Sequence, residues 1–197
     1  MKVLLLLHAF PLEPDMWDAQ EPVLKGHEVV APSLYGRGNT MDAWAESLRG
    51  ELTGPFDCCV GASMGGGCAL ALERQAPGFL RALVLAGAHA GPDAPERRLF
   101  REEQISELRE QGDEEKVAIV EALRDRPDDR AVLASFPGSI LVVVGDEDPM
   151  ISVDDARALA ESAHGRVEVV PGAGHLVSLD QPERFNRLLS DFLEDCI

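Results

Sequence analysis

The sequence has few basic residues, and this shortage limits the partners that the protein can have. Only 18 Lys and Arg stand against 35 Asp and Glu in 197 residues, which gives a formal net charge of −17. A negative field of this size repels phosphate groups. We therefore expect neither nucleic acid nor an anionic membrane surface as a partner.

Aromatic residues and long apolar runs are also scarce. Phe, Trp and Tyr make up 5% of the chain, so the core must rest on Leu, Val and Ala. No apolar stretch approaches the length that crosses a bilayer. The run Val3–Leu7 after Lys2 is too short for a signal-peptide core, and no small-residue cleavage site follows it. We expect a cytoplasmic protein with one compact domain.

The four cysteines lack the spacing of a metal or redox site. Cys58 and Cys59 are adjacent, Cys68 follows shortly and Cys196 lies near the C-terminus. No CxxC pair occurs, and no Cys/His set suits zinc. We expect four reduced thiols, with Cys58 and Cys59 acting as small hydrophobic residues of a buried strand.

Short apolar runs alternate with helical patterns along most of the chain. The apolar runs predict strands at Val3–Leu7, His27–Ala31, Asp57–Val60, Ala82–Ala86, Ile140–Val144 and Val167–Val170. Apolar residues at helical spacing predict helices at Ala43–Leu52, Gly66–Arg74, Val153–Ser162 and Pro182–Leu193. This alternation is typical of an α/β fold in which helices cover both faces of a parallel sheet.

The segment 91–137 interrupts the alternation. It contains helical patterns at Arg97–Gln111 and Glu114–Leu123 with no strand between them, and several prolines bracket it. We interpret it as a small helical insertion above the sheet, because its length exceeds an ordinary crossover. A single long crossover helix with an irregular loop is the alternative.

The clearest motif is Gly61–Gly65, which reads Gly-Ala-Ser-Met-Gly and fits G-x-S-x-G. An apolar strand precedes it and a helical pattern follows, as a nucleophile elbow requires. Such a turn holds the hydroxyl of Ser63 above the sheet at a helix N-terminus. The N–H of Met64 is then free to stabilise an oxyanion. A structural turn with a buried serine is the alternative.

A serine hydroxyl needs a base, and the base needs a carboxylate. His175 follows the last predicted strand, and Asp148 lies in the acidic loop 145–149 after the strand before it. The order Ser63, Asp148, His175 is one that a known class of catalytic triad uses. Because the loops after parallel strands share one edge of the sheet, we expect the three side chains to meet. A solvated acidic loop is the other interpretation of 145–149.

A second oxyanion donor must come from the loop after an early strand. The candidate is the backbone N–H of Phe10, which precedes Pro11 in the segment 8–11. His8 and His89 also follow strands, so they too are candidates for the neighbourhood of the site.

These residues resemble the α/β-hydrolase superfamily, in particular its small esterases, enol-lactonases and C–C hydrolases. The resemblance covers nearly the whole chain and rests on the following segments: His8–Pro11 with Trp17 downstream, Gly36–Gly38, Gly61–Gly65, Gly145–Asp148, Gly174–His175 and Gln181–Phe185. It implies a mostly parallel sheet of about six strands with a short helical cap at about 91–137. It also selects Asp148 over Asp146 as the carboxylate of the triad.

The sequence departs from the family pattern at several points. Ala9 replaces a usual glycine of the oxyanion loop, and Ser33 stands where the family has an aspartate. The first strand corresponds to the family's third, and the short cap implies a more open pocket. Packing and substrate contact remain alternatives for four candidate pocket residues, which are His89, Met150, Ile151 and Leu176.

The resemblance implies a serine hydrolase that acts on a small ester, lactone or thioester through an acyl-enzyme, with no metal or organic cofactor. A C–C hydrolase or lyase that uses the same triad is the enzymatic alternative. A ligand sensor on the same scaffold is the non-catalytic one. The sequence does not determine the oligomeric state.

Overall fold

Six parallel strands form the centre of the protein in a computed structural model that describes residues 1–195. Cys196 lies outside these residues. The spatial order is β2-β1-β3-β4-β5-β6, and every neighbouring pair is parallel. The strands are β1 (Val3–Leu7), β2 (Glu28–Val30), β3 (Cys58–Ala62), β4 (Ala82–Ala86), β5 (Ser139–Gly145) and β6 (Arg166–Val170). The six-stranded parallel sheet predicted from the sequence is confirmed.

Helices connect the strands and cover both faces of the sheet. A 3-10 helix (Pro14–Gln20) precedes α1 (Glu21–Leu24), α2 (Met41–Glu51), α3 (Met64–Gln75), α4 (Pro95–Glu110), α5 (Glu114–Arg124), α6 (Arg130–Ala134), α7 (Val153–Ser162), α8 (Val177–Asp180) and α9 (Pro182–Asp195). The 3-10 helix, α1 and α8 were not predicted, because each is too short to repeat an apolar pattern.

The strands divide the core into two layers because successive side chains point to opposite faces. In β1, Leu5 and Leu7 pack with Trp44 of α2, whereas Leu4 and Leu6 belong to the layer that holds Phe185 of α9. The predicted thiols of β3 follow the same rule, with both Cys58 and Cys59 fully buried. No disulfide joins these two cysteines or Cys68.

Three helices, α4, α5 and α6, fill the chain between β4 and β5, so the alternative of one long crossover helix is wrong. Asp93, ahead of α4, accepts a hydrogen bond from Arg126, which follows α5. Asp129 joins the segment to α3 through the Nε of Arg74, at 2.6 Å. The segment is therefore tied to the main body through the last turn of α3. No described helix is long and apolar enough to cross a membrane.

Gly65 allows α3 to lie directly against β1. A Cβ at this position would stand 2.1 Å from the carbonyl oxygen of Leu7. We predict that Gly65→Ala lowers the free energy of unfolding in urea by about 2 kcal/mol or more, because backbone must move to make room. Gly50→Ala in α2 is the matched control, since no atom lies within 4 Å of the added methyl group. It should be neutral or stabilising by up to about 1 kcal/mol. Equal losses in the two variants would contradict this account.

Candidate active site

Ser63 lies in a strained turn between β3 and α3. Its backbone has φ 47° and ψ −107°, a region that non-glycine residues rarely adopt. The N–H of Ser63 donates to the carbonyl of Ala86 at 2.8 Å, which anchors the turn to β4. The turn is possible because Gly61 has no side chain, since a Cβ there would stand 2.7 Å from backbone atoms of Gly66.

The imidazole of His175 bridges Ser63 and Asp148. Its Nε2 lies 2.9 Å from the Oγ of Ser63, and its Nδ1 lies 2.9 Å from one carboxylate oxygen of Asp148 and 3.1 Å from the other. The structure therefore brings together the three side chains that the sequence analysis selected. Because a carboxylate accepts hydrogen bonds, this arrangement favours a proton on Nδ1, which leaves Nε2 able to accept from the hydroxyl of Ser63.

The side chain of Asp148 is completely buried. Burial alone would raise its pKa, but the hydrogen bond to His175 and the backbone N–H groups of Met150 and Ile151 lower the pKa below its ordinary value. The carboxylate is therefore charged at neutral pH and fixed in position.

The loop that carries His175 is held by two carboxylates, one in the loop after β5 and one at the end of α8. Asp146 accepts from the N–H of Gly172 at 2.7 Å, and Asp180 accepts from the N–H of Gly174 at 2.9 Å. Asp146, the acid that was not selected for the triad, thus positions the histidine loop. Gly87 completes the packing, because a Cβ there would lie 2.5 Å from the carbonyl oxygen of His175.

His8 organises the loop that contains the second candidate oxyanion donor. It is fully buried, its Nε2 accepts from the N–H of Leu34 at 2.8 Å, and its Nδ1 lies 3.1 Å from the carbonyl of Ala9. Burial lowers the pKa of His8, which favours the neutral ring that this pattern requires. His8 is therefore a positioning residue.

Ser33 shows how the loop is held where the family has an aspartate. Its hydroxyl donates to Glu13 at 3.0 Å and accepts from the N–H of Tyr35. The hydroxyl of Tyr35 in turn donates to the carbonyl of Leu12 at 2.7 Å.

Within the described part of the chain, the N–H groups of Phe10 and Met64 have no protein acceptor. Their role as oxyanion donors stays a prediction.

The cavity directly at Ser63 is small, about 10 Å³. That the pocket is more open than in relatives with a larger cap stays a prediction. Arg97, Arg101 and Arg126 are among the residues that line the cavity. These arginines were not selected from the sequence. Asp93, Arg97 and Arg101 do recur every four residues, a spacing that could have indicated a common face.

Three of the four predicted pocket residues, His89, Met150 and Ile151, line the cavity. Whether they contact substrate stays a prediction. Leu176 is not among the residues that line this cavity. It is half-buried and packs against the core layer of α9, and the chain turns into α8 immediately after it. Its contact with substrate also stays a prediction.

The described residues contain no group of three or more His, Cys, Asp or Glu side chains that could hold a metal ion.

Comparison with known proteins agrees with this fold. A model described as the alpha/beta hydrolase family matches residues 4–188. A solved esterase from Thermogutta terrifontis, with malate bound, is 28% identical with a TM-score of 0.88, and the match covers 98% of this chain and 90% of that one.

Two curated relatives differ in the chemistry that their names state. A 2-hydroxymuconate semialdehyde hydrolase from Pseudomonas sp. (strain CF600) is 28% identical over 91% of this chain and 81% of that protein. A pimeloyl-(acyl-carrier protein) methyl ester esterase from Aromatoleum aromaticum is 42% identical over 92 residues. That match spans 43% of this chain and only 36% of the esterase's length.

The lowered pKa of Asp148 makes stability depend on pH. A carboxylate with a lowered folded-state pKa stabilises the protein above its ordinary pKa of about 4, and this contribution is lost as the pH falls through the folded-state pKa. We predict that Asp148→Asn lowers the free energy of unfolding by about 1 kcal/mol or more at neutral pH. The difference in this free energy between the variant and the native protein should shrink toward about pH 3. Urea unfolding across this range measures it. Asp154→Asn, at an exposed site, is the control. A difference that does not change with pH would contradict the assignment.

Proposed function

Because the chain belongs to the alpha/beta hydrolase family, we propose that it is a serine hydrolase that cleaves a small ester, lactone or thioester. Ser63 is the nucleophile, His175 the general base and Asp148 the residue that orients the imidazole. The observation that carries the proposal is the pair of 2.9 Å contacts on the two nitrogens of His175.

The proposed reaction has two steps. The Oγ of Ser63 attacks the carbonyl carbon while the Nε2 of His175 takes the hydroxyl proton. The N–H groups of Phe10 and Met64 stabilise the oxyanion. His175 then gives its proton to the leaving oxygen or sulfur, which departs and leaves an acyl group on Ser63. Water, deprotonated by His175, hydrolyses this acyl-enzyme and releases the acid.

An ester-type substrate is supported by the likeness to the Thermogutta terrifontis esterase over almost the whole chain. A second candidate is hydrolysis of a carbon–carbon bond next to a carbonyl group. It is favoured by the match to the semialdehyde hydrolase, which spans 91% of this chain. A non-catalytic sensor would have no use for the strained backbone of Ser63, because strain of this kind is retained where it serves a function.

We predict that Ser63→Ala lowers hydrolysis of short para-nitrophenyl esters by about 10⁴-fold or more and abolishes labelling by a fluorophosphonate probe. Both effects follow because the attacking oxygen is removed while the fold is retained. Steady-state rates and in-gel fluorescence measure them, and circular dichroism checks the fold.

Ser106→Ala is the matched control, since it removes an exposed hydroxyl of α4 away from the cavity at Ser63. Labelling of the native protein without ester turnover, together with cleavage of a vinylogous diketone, would favour the carbon–carbon reaction. A folded native protein that reacts with neither probe nor ester would contradict the proposal.

A further inference from the structure

Three arginines converge on one carboxylate beside the proposed nucleophile. Asp93 accepts from the Nη2 of Arg126 at 2.7 Å and lies 3.4 Å from the Nε of Arg101 and 3.8 Å from the Nη1 of Arg97. The Asp93 side chain is 0% exposed, and those of Arg101 and Arg126 are 7% and 8% exposed. We call Asp93, Arg97, Arg101 and Arg126 the arginine cluster.

The arginine cluster carries more positive than negative charge. Three guanidinium groups share the single carboxylate of Asp93, which leaves two positive charges without a counter-charge inside the cluster. His89, which also faces Asp93 at 3.5 Å, supplies no negative charge. Buried charges are costly unless they are paired. An excess of this kind is therefore suited to an anion that binds from outside.

Two arginines that line the cavity have donor atoms without a protein partner. Within the described residues, the Nη2 of Arg101 and the Nη1 of Arg126 donate to no protein acceptor. Neither atom is fully enclosed by protein, so each keeps some contact with solvent. Burial lowers the pKa of Arg126 to about 10, so its guanidinium is still protonated at neutral pH.

The position of the cluster relates it to the reaction. Ser63, His175 and all three arginines line the same small cavity. This is a local positive region in a protein whose formal net charge is −17. We propose that the substrate carries a carboxylate near the scissile carbonyl and that Arg97, Arg101 and Arg126 bind it. This inference rests on the proposed function, whose substrate class it narrows.

Arg97 also explains how such a substrate enters. A cavity of about 10 Å³ holds little more than one water molecule. A neighbouring cavity of about 410 Å³ shares Arg97, His89, Met150 and Ile151 with it. Arg97 thus lines both cavities, and its guanidinium donates to the carbonyl of Met150 at 2.6 Å and lies 3.2 Å from the Nε2 of His89.

These two partners of Arg97 are uncharged, because burial lowers the pKa of His89 and a carbonyl carries no net charge. A charged acceptor forms roughly twice as strong a hydrogen bond with a guanidinium as a neutral one does. A substrate carboxylate can therefore take Arg97 from Met150. Because Arg97 lines both cavities, we expect this movement to open a path between them. The arginine is 30% exposed, so it has room to move.

The first test compares esters that differ only in charge. One pair is the para-nitrophenyl half-ester of glutaric acid and the same ester with a carboxamide in place of the free carboxylate. The other is O-acetylglycolate and its amide, which puts the charge on the alcohol side. We expect kcat/KM to favour the acid over the amide by about tenfold or more in at least one pair. Equal or lower values for both acids would overturn the inference.

The second test changes Arg97 and uses its neighbour as the control. Arg97→Gln should lower the acid-to-amide ratio of kcat/KM by about tenfold, and Arg97→Lys should restore part of it. Arg98→Gln removes the same charge from the same helix, but Arg98 binds Asp125 and the carbonyl of Arg124 instead. The ratio should therefore be unchanged in Arg98→Gln. An equal change in Arg97→Gln and Arg98→Gln, or a loss of stability without a change in the ratio, would mean that the cluster is only structural.

A binding measurement separates this inference from the proposed function. Glutarate should bind to the Ser63→Ala protein in isothermal titration calorimetry, and the additional change Arg97→Gln should weaken it by about tenfold. Binding by a native protein that reacts with neither the fluorophosphonate probe nor any ester would leave the carboxylate site in place and refute the hydrolase proposal. Suppose instead that the protein turns over both esters that carry a carboxamide but does not detectably bind glutarate. That result would refute the carboxylate site and leave the hydrolase proposal in place.

Discussion

The hydrogen bond between His175 and Ser63 joins residues that are 112 positions apart, and much of the surrounding packing serves this one contact. A glycine lies at the carboxyl end of each of the two strands between the elbow and the histidine loop, and this lets the loop lie close. Gly87, after β4, leaves room for the backbone of His175. Gly145, at the end of β5, leaves room for the carbonyl of Ala173, which would collide with a Cβ at this position. The contact therefore depends on the absence of side chains as much as on the residues that form it.

Charge is distributed around this contact in two opposite environments. Behind the imidazole, Asp148 is buried and receives three donors, so that a proton gained by His175 would be stabilised. In front of it, the arginine cluster makes the cavity positive within a strongly acidic protein. Screening limits the reach of surface charges to about 10 Å, so distant acidic residues have little effect at the cavity. An anionic reactant is therefore favoured only where the guanidinium groups are close.

The sequence was sufficient to predict features that depend on local pattern or on chain order. The strand, the G-x-S-x-G turn and the helix around Ser63 are contiguous, so each supports the interpretation of the others. The choice of Asp148 over Asp146 needed the family resemblance, because both acids follow the same strand. In the structure the two acids have different hydrogen-bond donors. Asp148 accepts from His175, whereas Asp146 accepts from the N–H of Gly172.

Features that depend on tertiary packing could not be predicted from the sequence. Arg126 meets Asp93 across 33 residues of an irregular helical segment, and no periodicity relates them. The same segment supplies Arg97, Arg101 and Arg126, whose approach to the cavity at Ser63 depends on how its helices pack. Leu176 follows His175 directly, yet a change of direction at α8 turns it toward the core.

The central claim is that Ser63 carries an acyl group during turnover, and the most direct measurement is peptide mass mapping after an acid quench in the first milliseconds of reaction with a para-nitrophenyl ester. The account predicts a mass increase equal to the acyl group, confined to the peptide that contains Ser63 and gone once the ester is consumed. Turnover with no acylated peptide, or with the acyl group on a different side chain that is formed and lost at the turnover rate, would contradict it.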